Sequence, residues 1–303
     1  MRLGVVSKHQ HLNRLRQIKG SFRSLFLLGV LISCSAWAKA DECDVDPARI
    51  NIVSGYQLVH VQAVYDGDTV LLADGRKVRV VGINTPEVAH GDQVTEPIAN
   101  QAHKALQALI GGKHVILKVG GDTKDHYGRT LAHLFDYQGK NITRELLLQG
   151  LGFQVAFPPN LWGVACYQAS ELVAKKHHLG VWKDPYFQPV EATSQHLKGG
   201  FGRVTGAVER LYVGKKRIWI DLEGDVSIRI EKKDSQHLKG EVLKRLLDAH
   251  EHKKIAELPA LQIRGWLVDR TAWGKKMASR IKRGERKRWQ LNLRHQIAWH
   301  FVE

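Results

Sequence analysis

Long apolar runs are missing from this sequence. The run near its start, Leu25 to Ile32, spans 8 residues, far short of the ~20 that cross a bilayer, which excludes a multi-pass membrane protein. No internal repeat of fixed period emerges, and the 16 histidines show no zinc-type spacing. Compositional bias is missing too. Hydrophobic residues make up 43% and charged ones 25%, ordinary for a globular chain and unlike a disordered or collagenous one. Acidic residues are scarce relative to basic ones: 30 Asp and Glu against 46 Lys and Arg leave a net charge of +16. Such an excess favours polyanionic partners through counterion release. At 303 residues the chain has room for about two domains.

The charge is unevenly spread. Residues 1–40 hold 7 basic and no acidic residues, residues 41–190 hold 14 and 16, and residues 191–303 hold 25 and 14. The expected organisation follows those borders: a leader over 1–40, a first domain over 41–187, a linker over 188–202 with Pro189, Ser194, Gly199 and Gly200, and a basic domain over 203–303.

Arg14, Arg16, Lys19 and Arg23 precede the short apolar run, and Ala38-Lys39-Ala40 follows it. A basic region, a short apolar region and an A-x-A site define a signal peptide, with cleavage expected after Ala40 and a secreted or periplasmic product. An uncleaved anchor is one alternative. The other is a lipobox, Leu31-Ile32-Ser33-Cys34, in which Cys34 becomes a lipidated N-terminus and the chain meets a membrane. Cleavage after Ala40 leaves Cys43 and Cys166. In an oxidising compartment an even pair is expected to form a disulfide, with two separate thiols as the alternative.

Val59 to Val64 and Val70 to Ala73 are expected strands. Asp74-Gly75 is expected to form a two-residue hairpin turn with positive φ at both positions, returning the chain as Lys77 to Ile83. Pro97 is expected at the first position of a helix ended by Gly111-Gly112, with Ile98, Ala102, Ala105, Leu106 and Leu109 as its apolar stripe. Strands are expected over Lys113 to Val119 and Thr130 to Asp136, and helices over 142–149 and 165–178. Beyond the linker, short β-segments with glycines at their bends predict a second small barrel.

Charged groups concentrate where a strand pattern does not require them: Asp66-Gly67-Asp68-Thr69, then Arg79 and Asn84-Thr85-Pro86-Glu87, then Asp125-His126-Tyr127-Gly128-Arg129. Phosphodiester hydrolysis needs such groups. Attack by water builds negative charge on phosphoryl oxygens, which guanidinium forks match. A carboxylate can deprotonate the water, and a hard cation in oxygen ligands can neutralise a phosphate oxygen. Taken singly, each stretch also reads as a turn or a solvated strand residue.

In this order and spacing the stretches resemble the staphylococcal nuclease (thermonuclease) family, from about Tyr56 to Lys183, with Gln149-Gly150-Leu151 and Gly180-Val181-Trp182 in support. The resemblance implies a mainly β fold with helices, built on a five-stranded oligonucleotide-binding (OB) type barrel. It also implies a Ca2+-dependent phosphodiesterase acting on DNA and RNA without strong sequence preference. Arg79 and Arg129 match the arginines that contact the reacting phosphate, and Glu87 matches the general base. Asp68 matches a carboxylate ligand of calcium, Thr85 a backbone-carbonyl ligand, and Asp66 a structural support.

Two departures stand out. Asn84 replaces the second carboxylate ligand, so the site loses a formal charge and calcium binding should weaken. In the base-stacking region the family's tyrosines give way to Phe153 and Phe157. Tyr127 and Phe157 are the aromatic candidates for substrate contact, with core packing the competing role of Phe157. In the basic domain Tyr212, Trp219, Trp266, Trp273, Trp289 and Trp299 interleave with Lys215, Lys216, Arg217, Lys275, Lys276, Arg283, Arg286 and Arg288, as in proteins that hold single strands by stacking and charge. The tryptophans also suit a core, and the charge also suits a membrane or lipopolysaccharide surface. The expectation is a nuclease whose partners are DNA and RNA, preferably single-stranded, without a stable protein partner. Its rival is a nucleic-acid-binding protein that keeps the fold but not efficient hydrolysis.

Overall fold

Period-two alternation of β-branched and polar residues yields β1 (Tyr56–Val64), β2 (Thr69–Leu72), β3 (Lys77–Val80) and the short β4 (Ile83–Asn84). The computed structural model describes residues 43–49, 55–89 and 94–302. The expected leader, its cleavage site after Ala40 and Cys34 lie outside the described residues. There follow α1 (Ala99–Ile110), β5 (His114–Lys124), β6 (Thr130–Phe135), α2 (Ile142–Leu148), β7 (Phe153–Gln154) and α3 (Val164–Lys176). The second half contributes β8 (Val190–Glu191), β9 (Gly200–Gly206), β10 (Val208–Val213), β11 (Arg217–Leu222), β12 (Val226–Glu231), α4 (Glu241–Glu251), β13 (Leu261–Asp269), α5 (Lys275–Lys282), β14 (Trp289–Leu293) and β15 (Trp299–Phe301). No helix among the described residues is long and apolar enough to cross a membrane.

Two local expectations are corrected. The β2–β3 connection has three residues, because Leu71 pairs with Lys77 and the Leu72 N–H donates to the Arg76 carbonyl. Only Gly75 has positive φ there, at 85°. A type I turn closed by a left-handed glycine needs no second such residue, and Asp74 instead accepts the Arg76 N–H at 3.1 Å. The helix expected from Pro97 starts at Ala99, because Ile98 is left-handed at φ 69°. That turn sends the Ile98 side chain against the buried core.

Strands β1, β2, β3, β6 and β5 close into a barrel, with β3 and β6 parallel and the other pairs antiparallel. Its interior is apolar, with Val61, Val70, Leu72, Val78, Leu117 and Leu134 fully buried. The second sheet runs β10-β11-β12-β14-β13-β9-β8, with β15 on β13. Only Ala207 separates β9 from β10, so the two ends of its central path are halves of one bent strand. Its β12–β14 pair is parallel, as β3–β6 is in the first barrel. The two curled sheets therefore share one strand order, a likeness invisible as sequence repetition. Residues 188–202 are not a free tether: β8 lies within them and pairs with β9.

The halves pack on each other. Phe153 of the first, packed with Trp182 and Phe187, meets Phe201 of the second, ring centroids 5.4 Å apart. Arg264 of β13 forks onto Glu171 of α3 with both hydrogen bonds at 2.8 Å. A disulfide joins Cys43 to Cys166 of α3, with 5.9 Å between their Cα atoms.

Behind the barrel His133 is buried, its Nδ1 2.8 Å from the Tyr167 hydroxyl. Burial, with Lys118 adding, pushes its pKa down from 6.5 to about 3. The folded state then refuses a proton that the unfolded chain accepts, so the stabilisation is complete above the unfolded pKa and is lost as pH falls from there toward the folded one. Unfolding free energy should drop by roughly 2 kcal/mol between about pH 7 and pH 5 from this group. Urea titrations of His133→Gln should show a flatter dependence, and an unchanged slope would exclude His133 as its source.

Candidate active site

The site begins at the β1–β2 connection. Asp66 accepts the Asp68 backbone N–H at 2.9 Å, an Asx turn that reverses the chain. Gly67 is required by space: a Cβ there would stand 2.6 Å from the Ala102 Cβ and 2.8 Å from that of Thr85. The turn delivers Asp68, buried, onto the neighbouring loop. Its Oδ1 accepts the Thr69 hydroxyl at 3.1 Å, and its Oδ2 accepts the Thr85 N–H at 2.9 Å and pairs with Arg79 at 2.8 Å. Burial pushes Asp68 up to about 6, against the pull of Arg79 and with help from Asp66.

Arg79 lies opposite Thr69 in the β2–β3 register. Its Nη1 donates to the carbonyls of Val80 and Ile83, each at 2.9 Å, and its Nη2 to Asn84 Oδ1 at 3.1 Å besides the Asp68 contact. Its side chain is only 12% exposed. Arg79 thus spends its Nη groups on holding the β3–β4 turn and Asp68 together.

Arg129 is presented differently. The Asp125 carboxylate accepts the backbone N–H of Tyr127 at 3.0 Å and of Arg129 at 2.9 Å, and Gly128 takes φ 82°. The same carboxylate takes the Arg129 Nε–H at 2.7 Å, while Nη1 reaches the Thr69 hydroxyl at 3.5 Å. Nη2 has no acceptor among the described residues, and the side chain is 28% exposed. Burial opposes ionisation of Asp125, but Arg129 holds its pKa below the ordinary value.

Glu87 follows the buried Pro86 and is exposed. Its N–H donates to Glu96 Oε2 at 2.9 Å, and its carbonyl accepts the Glu96 N–H at 3.0 Å. Loss of surrounding water raises its pKa. The charges of Asp68 and Glu96 add to the rise, while Arg79 and Arg129 oppose it. All four charges therefore act on this carboxyl.

The structure brings together Asp68, Arg79, Asn84, Thr85, Glu87 and Arg129. Tyr127 stands on the rim, 74% exposed, with the Arg129 guanidinium 5.4 Å from its ring. Phe157 is not core. It is 39% exposed and packs on the second barrel, 5.7 Å from the Trp266 ring and 5.9 Å from the Arg294 guanidinium. The cis Pro158-Pro159 segment beside it carries Asn160 back onto the β5 backbone, where Oδ1 accepts the Asp122 N–H at 2.8 Å. Two contributors had no separate signal in the sequence. Glu96 clamps Glu87 from nine residues away, and Thr69 bridges Arg129 and Asp68.

Among the described residues no three His, Cys, Asp or Glu side chains form a metal cluster. The oxygen set on offer is the Asp68 carboxylate with the neutral oxygens of Asn84 and Thr85. Hard oxygens suit Ca2+, and a carboxylate still pushed up to about 6 beside Arg79 has room for further positive charge. The residues fit a weakly held cation.

Comparison with known proteins agrees with this geometry. Residues 77–184 match the family model described as staphylococcal nuclease homologue. That span includes Arg79, Glu87 and Arg129 and begins after Asp66 and Asp68. The thermonuclease of Staphylococcus intermedius is 29% identical over 126 residues, 41% of this chain and 74% of the relative. Endonuclease YncB of Bacillus subtilis is 30% identical over 129 residues, 41% of this chain and 61% of the relative. Endonuclease YhcR of the same species is 29% identical over 161 residues, 48% of this chain but 13% of that longer protein. Residues 77–184, which carry the Arg79–Glu87–Arg129 constellation, are thus similar to staphylococcal nuclease, and the barrel and the buried Asp68 turn belong to the same half of the chain.

Proposed function

We propose that the chain is an exported, cation-dependent nuclease that hydrolyses phosphodiester bonds of DNA and RNA with little sequence preference. The observation that carries this reading is Arg129, fixed by Asp125 and Thr69 with N–H groups to spare, near a carboxyl, Glu87, whose proton affinity is raised. Glu87 takes the proton of the attacking water. Arg129 donates to the phosphoryl oxygens as charge builds on them, and one P–O ester bond breaks, its oxygen taking a proton from solvent as it leaves as an alcohol. Arg79 holds Asp68 and Asn84 in place beside the reacting phosphate. Asp68, Asn84 and Thr85 would hold Ca2+, which when bound neutralises a phosphate oxygen.

The second barrel supports a grip on single strands. Tyr212 and Trp219 are cross-strand partners on β10 and β11, beside a concavity of about 520 Å³ also lined by Arg210, Arg217, Arg270 and Arg286. Arg270 lies 5.7 Å from the Trp219 ring and 5.5 Å from that of Trp273. Rings with interleaved cations hold unpaired bases and their phosphates. Export is supported by the Cys43–Cys166 bridge, which suits an oxidising compartment.

The test is cleavage of single-stranded DNA and RNA by the purified protein, with calcium titrated against chelator. Calcium-dependent cleavage that Glu87→Gln abolishes is expected. Asn84→Asp should lower the calcium needed for half-maximal rate by roughly tenfold, through the added ligand charge. No cleavage with calcium, magnesium or manganese, with salt-sensitive binding intact, would leave the binding-protein reading that Asn84 favours.

A further inference from the structure

A cavity of about 250 Å³ lies between α3 and the second barrel, apart from the residues of the candidate active site. Its lining carries three cations, Lys175, Arg203 and Arg264, against one carboxylate, Glu171.

The charges around it do not cancel. Glu171 is the carboxylate of the lining, and it is already taken by the Arg264 fork and by the Gln154 N–H at 2.6 Å. Among the described residues Arg203 donates to neutral groups, Gln262 Oε1 at 2.9 Å and the Phe187 carbonyl at 3.3 Å. Lys175 has no ion pair among the described residues. Both cations lie against Trp182, the Arg203 guanidinium 5.0 Å and the Lys175 Nζ 5.6 Å from its ring. Burial, with the charge of Arg264 adding, pushes Arg203 down to about 10, and burial with Arg203 lowers Lys175 as well. Like charges kept this close and partly dry are costly without a counter-ion.

We infer that this inter-barrel cavity is an anion site that takes a phosphate group, with Arg203 and Lys175 balancing its charge and donating to its oxygens. A phosphate dianion matches the two surplus cations. Its tetrahedral oxygens suit guanidinium and ammonium donors. The space holds a phosphate with several waters, each occupying about 30 Å³. The source is either free phosphate or the phosphorylated end of a nucleic-acid fragment.

The test reads the Trp182 indole N–H in proton–nitrogen spectra of the full protein freed of divalent ions, assigned by its loss in Trp182→Phe. Inorganic phosphate should shift it, with half-saturation near or below about 1 mM. Lys175→Gln, on the exposed rim, and Arg203→Gln should each weaken binding by about tenfold or more, while Arg129→Ala should leave the shift intact. A 5′-phosphorylated thymidine dinucleotide compared with its 5′-hydroxyl form identifies the source. A selective effect of the phosphorylated form supports a nucleic-acid end, and an effect of inorganic phosphate alone supports the free anion. A Trp182 signal unmoved by every probe up to about 10 mM, or shifts unaltered in both the Lys175 and Arg203 variants, would overturn the assignment.

Discussion

Arg129→Lys should lower phosphodiester cleavage by about 10²–10³-fold while changing unfolding free energy by no more than about 1 kcal/mol. Lysine keeps the charge but loses the planar fork, and the partly exposed pair with Asp125 contributes little to stability. Arg79→Lys should behave otherwise. Arg79 donates to two carbonyls, to Asn84 and to Asp68, so its replacement leaves a buried carboxylate short of its partner. Disrupting such a pair costs roughly 3–5 kcal/mol when one partner is removed outright, and activity should fall with stability. Measuring kcat and urea midpoints for both variants separates two guanidiniums to which the family resemblance assigns one role. Equal losses of stability in the two, or an active Arg129→Lys protein, would contradict the arrangement described above.

The second large effect concerns the disulfide. Its cysteines are 123 residues apart, and in the chain-entropy model releasing a loop of this length costs roughly 4–5 kcal/mol. Domains have only about 5–15 kcal/mol in hand, so Cys43→Ser/Cys166→Ser should bring the protein close to unfolding at physiological temperature. The bridge is not the sole tie of this segment. Val45 donates to the Gly139 carbonyl at 2.8 Å, and Asp44 accepts the Asn141 N–H at 2.9 Å. These contacts should keep the native arrangement as the folded form of the variant. Reduced wild-type protein should match the double-serine variant in its urea midpoint. A loss below about 1 kcal/mol in both would show that the unfolded chain gains little freedom when the bridge opens.

Much of the site was legible because it is written in short spans. Asp66-Gly67-Asp68 is a turn with its own hydrogen bond, and Asp125 organises Arg129 from four residues away. Such signals need only local chemistry. Ile98 shows where local chemistry loses: the proline before it was a fair helix start, but packing of the half-buried isoleucine against the core overrode it. Phe157 shows the same limit in reverse. An aromatic residue near a strand reads as core by default, and only the docked second barrel, with Trp266 and Arg294 on one side of the ring, leaves it half open.

The charge division along the chain, the family resemblance, the cysteine pair and the candidate hydrolytic residues could be read from the sequence, since composition, spacing and turn chemistry are properties of neighbours. The folded structure was needed to show that Arg129 keeps Nη2 unengaged among the described residues and that Glu96 clamps Glu87. It alone also showed that β9 and β10 are one bent strand and that Arg264 reaches Glu171 across 93 positions. Those outcomes depend on register and on how the barrels dock. Such contacts join residues far apart in the chain, and no local periodicity records which distant partner a side chain will meet.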